Sequence, residues 1–339
     1  MSIEKAIKRN KENQFEHLAH FNGRLLPRTE AQTAVTEKWV LPYAEHIVED
    51  VQKLRQQTDD KLSHDPEIKR TTREWHKEYP EGWCAEIRDD VLERMQAGML
   101  NTNYPGLQML KNFVREGGVI QPFWGIDKEK YFQNAIQIGD SILDVANDTV
   151  DPRKPKVVFY PSVAEAPIKA ITDYSQFAQV KEKYHNTDVY PNIYFPKLAP
   201  VFPMLAVRHA RKGPVPFADT LFLEREALNL MFPNIRTVQD GHLFGLSSDF
   251  IFNSEYTDRR LPEPMLDALF AHMKSHQLTR MRPDMFHLTT DPEETKASFA
   301  QFHISNKNAL IPQEMLQDAN EILKAGKTLE YRQLGMVRR

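Results

Sequence analysis

The chain has 339 residues, 41% hydrophobic and 10% aromatic, enough for a sizeable core in one large or two medium domains. Its 44 Lys and Arg against 47 Asp and Glu leave a net charge of −3, so no bulk field invites nucleic acid or an anionic membrane, and neither is expected as a partner. A single cysteine excludes an internal disulfide and the cysteine-rich zinc patterns, and no cofactor is expected.

The opening residues Met1 to Ala6 contain no apolar core of a signal peptide, and no run approaches the ~18 apolar residues of a membrane span. The expected location is the cytoplasm, with an exported effector lacking a recognisable signal as the alternative. Oligomeric state is left open. Phe15, Leu18 and Phe21 form a short stripe that predicts one helix before Gly23 and Pro27. Ala34, Val35, Leu41, Val48, Val51 and Leu54 predict a long helix over 30–58, kinked at Pro42. His17 and His20 have no third ligand at a useful spacing, and His76 with Glu78 is only the opening of an iron-binding triad.

Tyr79-Pro80-Glu81-Gly82-Trp83-Cys84 then sets the cysteine at the head of an amphipathic helix. Ile87, Val91, Leu92 and Met95 share its apolar face, and Gly98 closes it. A thiol in that position feels the helix dipole and unpaired N–H groups, which favour thiolate, and a nearby imidazole would make it more reactive than a free thiol. The simpler reading is an inert thiol acting as a small hydrophobe.

A short helix over 107–114 follows. Ala135–Ile138 and Ser141–Val145 around Gly139-Asp140 predict a β-hairpin, and Val157–Tyr160 a further strand. The stretch 161–216 reads as an ordered, proline- and aromatic-rich insertion holding a helix over 171–184. Helical character returns over 221–231. Residues 239–253 then read as a second hairpin with Ser247-Ser248 as its loop, which sets His242 opposite Asn253. Helices are expected over 264–276, 292–302 and 312–325. The sum is an α+β fold, helix-dominated, with a small antiparallel sheet in its central region. It divides into a helical part at 1–78, an α+β part at 79–260 and a helical part at 261–339.

A Cys at the head of a helix after a Gly-aromatic turn, followed by His and then Asn or Asp on a hairpin, resembles the core of the papain-like and transglutaminase-like cysteine hydrolases. The resemblance rests on 79–95 and 239–254. It implies Cys84 as nucleophile, His242 as general base and acid, and Asn253 as the orienting group with Asp249 in reserve, acting on a peptide bond or a glutamine amide of a protein or peptide substrate. The sequence departs from the papain-like pattern at Glu78, where those enzymes supply a side-chain amide, and about 155 residues separate Cys84 from His242. The first hairpin has the same shape and ends in Asp144, but opens on Asn134 where a base would need His. It is either a neighbouring structural hairpin, the preferred reading, or the true superfamily hairpin of a catalytically dead relative.

Two other classes remain. One is a recognition module using the aromatic 185–216 region as its surface. The other is a metal enzyme using His76, His242 or His287, with His272 and His276 as a further helical pair. Nucleotide, serine-hydrolase and zincin motifs are absent.

Overall fold

The computed structural model describes residues 25–26, 28–75, 78–200, 202–208, 220–223, 242–275 and 287–305. The chain divides into two compact units after Ala170, inside the 79–260 part that the sequence alone reads as one. The fold is α+β and helix-rich, and the described strands pair antiparallel.

In the first unit, Thr29 caps α1 (Glu30–Trp39) by accepting the Gln32 N–H. The single kinked helix expected over 30–58 is two helices: Leu41–Tyr43 forms a 3-10 turn and α2 (Ala44–Leu62) starts anew. Pro42 carries no N–H with which to continue the ladder. Helix α3 covers Pro66–Trp75 and α4 covers Cys84–Gly98. Ile87, Val91, Leu92 and Met95 of α4 are buried, as their spacing predicts. At the start of α5 (Pro105–Arg115), the buried Asp50 carboxylate of α2 accepts the N–H groups of Gly106 at 2.7 Å and Leu107 at 3.3 Å. A Cβ at Gly106 would meet the His46 carbonyl oxygen at 2.4 Å, so glycine lets the two helices approach this closely.

These helices cover one face of a five-stranded sheet. Its strands are β1 (Ile120–Asp127), β2 (Tyr131–Ile138), β3 (Ser141–Asp144), β4 (Val158–Tyr160) and β5 (Ile168–Lys169), in the order β4-β3-β2-β1-β5. The β2–β3 hairpin turns at Gly139-Asp140 as expected, with Ile138 opposite Ser141 and Gly139 at φ +58. Ile120, Ile136, Ile138, Leu143 and Val145 face the helices and share their core. Alternation sends Phe123, Ala135 and Ile142 to the second face, where Ala166, Ile168 and Leu25 pack on them. The Gln137 side chain holds the Leu26 backbone there, accepting its N–H at 2.9 Å and donating to its carbonyl at 3.2 Å.

In the second unit, α6 (Tyr174–His185) is capped by Asp173 and ends at Asn186 in the left-handed region. Strands β6 (Thr187–Pro191), β7 (Met204–Arg208) and β8 (Thr220–Leu223) form a sheet in that order. Residues 221–223 are therefore strand where the sequence suggests helix, and 224–231 lie outside the described residues. Helices α7 (His242–Phe252), α8 (Glu263–Ser275) and α9 (Pro292–Ser305) follow.

The second hairpin expected over 239–253 is thus a helix. Buried Ser247, Phe250 and Ile251 recur at three- and four-residue spacing, and a Ser-Ser pair has no glycine or asparagine to favour a two-residue strand turn. Among the described residues of the aromatic stretch 185–216, expected to offer a recognition surface, Tyr194, Phe195 and Phe202 are each 1% exposed. The expected helix over 312–325 and the stripe at Phe15, Leu18 and Phe21, with His17 and His20, lie outside the described residues.

Candidate functional site

The turn that delivers Cys84 is anchored on two sides. Tyr79 donates its hydroxyl to Asp59 of α2 at 2.7 Å, and the Gly82 N–H reaches the Thr149 carbonyl at 3.3 Å. Gly82 sits at φ +83, a conformation that side chains with a Cβ resist. Beneath the turn, Arg55 is almost wholly buried and bridges Asp59 of its own helix and Asp148 of the 3-10 turn Asn147–Thr149. Lys156 also reaches Asp59, at 2.6 Å. Helix α4 therefore starts at a fixed point, and no side chain caps its first turn.

Cys84 is a free, partly buried thiol. Asn134 of β2 donates from Nδ2 to its sulfur at 3.0 Å, across 50 residues of sequence. Arg88, one turn along α4 from Cys84, donates to Asn134 Oδ1 and is held from behind by Asp89 at 2.7 Å. A guanidinium only donates, so the amide oxygen must face Arg88 and the amide nitrogen must face the sulfur. Arg88 donates to Asn134 and Asn134 to Cys84, a directed chain that ends on sulfur, while Asp89 accepts from Arg88 behind it.

Its electrostatic outcome reverses the expected activation. Burial pushes the Cys84 thiol above its ordinary value; the Asn134 hydrogen bond and the Arg88 charge oppose that, while Glu86 and Asp144 add to it. No imidazole is among these groups. An amide nitrogen has no basic lone pair, so Asn134 can donate to sulfur or to an oxyanion but cannot accept the thiol proton.

Asp144 ends β3 as the sequence suggests, yet it does not orient Asn134. It accepts from Gln133 on both oxygens at 3.0 Å and from the Ala146 N–H at 2.9 Å. Burial raises its pKa to about 7 despite those donors. Gln133 and Asn134 are adjacent on one strand and point to opposite faces, so Asp144 belongs to the second face of the sheet.

The other site residues expected from sequence are placed differently. His242 begins α7 in the second unit, and Asn253 follows that helix, about 16 Å farther along the axis and not opposite it. Asn253 Nδ2 donates to Asp249 Oδ1 at 3.1 Å, so the two groups expected to orient an imidazole bond to each other across one helical turn. His287 pairs with Glu294 at 2.8 Å. His76 and His276 lie outside the described residues. Among the described residues, no group of three His, Cys, Asp or Glu side chains is placed to hold a metal. No helix among them is long and apolar enough to cross a membrane.

Sequence reasoning passed over Asn134 and Arg88 as site residues. Arg88 carried a usable signal, since residue i+4 from a helix-start cysteine lies on the same stripe. Comparison with family models, curated proteins and solved structures finds no match for this chain.

Proposed function

We propose that this chain is a non-hydrolytic relative of the cysteine hydrolases, a recognition protein for a protein or peptide partner in which Cys84 stays a neutral thiol. The observation that carries the reading is the Asn134 amide on the Cys84 sulfur, where a hydrolase needs an imidazole. The first hairpin brings Asn134 to the cysteine helix, while His242–Phe252 is a helix and not a hairpin, which favours the dead-relative reading of Asn134 over the Cys84–His242 pair. Peptide recognition is supported by the second sheet face, where a side-chain amide already bonds both the N–H and the carbonyl of the Leu26 backbone. One free thiol without a disulfide suits a reducing compartment such as the cytoplasm.

The test is the pH dependence of Cys84 alkylation, with hydrolysis of peptide and glutamine amides measured in parallel. The reading expects an apparent thiol pKa above the unperturbed ~8.5 and no amide hydrolysis that Cys84→Ala removes. Peptide-array binding should be the same for the wild type and Cys84→Ala. Cys84-dependent turnover, or a thiol titrating below about 7.5, restores the hydrolase reading.

A further inference from the structure

The second face of the five-stranded sheet carries a group that its surroundings leave incomplete. Asp127 is 7% exposed, and its Oδ1 is buried with no hydrogen-bond partner among the described residues. A buried acceptor without a donor is unusual, because it loses its water without replacement.

The register shows what surrounds it. Asp127 pairs with Tyr131, and Gly125 two residues earlier pairs with Gln133, so Asp127, Tyr131 and Gln133 share one face. Gln133 bonds Asp144, which brings Asp144 to the same face. Ile142 pairs with Tyr160 and lies two residues before Asp144, which adds Tyr160. Direct interactions agree with the register. Tyr131, Asp144 and Tyr160 all feel the Asp127 charge, and Tyr160 packs on the cluster that holds Ile168, the residue opposite Asp127 on β5.

The chemistry selects a ligand class. Asp144 already has three N–H contacts, so the unpartnered position is Asp127 Oδ1, and a carboxylate oxygen takes only a donor or a cation. On the same face are the rings of Tyr131, the cross-strand partner of Asp127, and of Tyr160, both partly exposed, and a tyrosine face attracts a cation. The protein supplies an internal precedent, because the Lys154 ammonium stands 5.7 Å from the Tyr131 ring centroid.

We propose that this end of the sheet binds an alkylammonium group, such as the lysine side chain or free amino terminus of a partner peptide, with Asp127 Oδ1 as its acceptor and Tyr131 and Tyr160 as its aromatic walls. The site does not involve Cys84, so it stands or falls independently of the thiol reading.

The experiment titrates the isotope-labelled full chain with n-butylammonium chloride at constant ionic strength and follows backbone amide signals. Saturable shifts are expected at Asp127, Tyr131 and Ile168, its neighbours by pairing. Asp127→Asn, checked for unchanged circular dichroism, should weaken binding at least about tenfold, because the charged acceptor is lost. Lys154→Gln should tighten it a few-fold by removing the resident ammonium. Shifts that persist unchanged in Asp127→Asn overturn the proposal, as does the absence of saturation at ~100 mM ligand. Saturation by magnesium or manganese with none by butylammonium overturns it in favour of a metal site.

Discussion

Arg55 and Asp148 form two parallel hydrogen bonds, at 3.1 and 3.2 Å, between side chains that are 1% and 2% exposed and 93 residues apart in sequence. This pair joins α2 to the turn after β3, and through Asp59 and Tyr79 it also fixes the approach to Cys84.

Removing the guanidinium strands the buried Asp148 carboxylate and takes one partner from Asp59, which keeps Lys156 and Tyr79. Arg55→Met should destabilise the first unit by about 3–5 kcal/mol, whereas Arg55→Met with Asp148→Leu should cost less than the two single changes summed. Urea unfolding followed by tryptophan fluorescence measures both. Strict additivity would show that the two side chains do not interact in solution.

Asn134→His should convert the thiol. An imidazole in place of an amide that now lies 3.0 Å from sulfur favours thiolate, so the apparent pKa of Cys84 should fall by about one unit or more. The alkylation rate at pH 7 should rise with it. An unchanged rate profile in a folded variant would mean that residue 134 does not face the sulfur in solution.

Asp144 should give the protein a pH-dependent stability. Its folded pKa, about 7, lies above the ordinary 3.8, so between those values the folded state keeps a proton that the unfolded state has released. The stabilising contribution is therefore complete below about pH 4 and declines as pH rises through 7, at up to roughly 1.4 kcal/mol per unit. Asp144→Asn cannot titrate and should flatten that slope. Thermal midpoints measured from pH 4 to 8 decide it, and an equally steep wild-type and variant slope would exclude Asp144 as the source.

The legible parts of the fold were those written in short-range pattern. The apolar stripe of α4 and the Gly139-Asp140 hairpin were both set by local periodicity and turn chemistry. Strand β1 was hidden because Pro122, Trp124 and Gly125 break the usual alternation, and its turn uses Lys128 and Glu129 at φ +51 and +56 in place of glycine. Helix α7 reads as a hairpin in sequence because Phe244 with Leu246, and Phe250 with Phe252, each keep the two-residue period of a strand on either side of Ser247-Ser248. At the site, sequence located Cys84 but not its partner. In sequence a helix-start cysteine points to a histidine partner, and Asn134 is silent by that criterion, since its contact with sulfur exists only once β2 lies against α4.

The hold of Gln137 on Leu26 spans 111 residues, and it imposes an order on synthesis. Leu26 leaves the ribosome first and must wait for the sheet that will seat it. At about 5–20 residues per second, that wait lasts roughly 6–20 s before Gln137 is even made. The second sheet face, with Phe123 and Ile142 on it, thus receives Leu25 only after most of the first unit has emerged. The earliest residues of this contact are among the last to find their place.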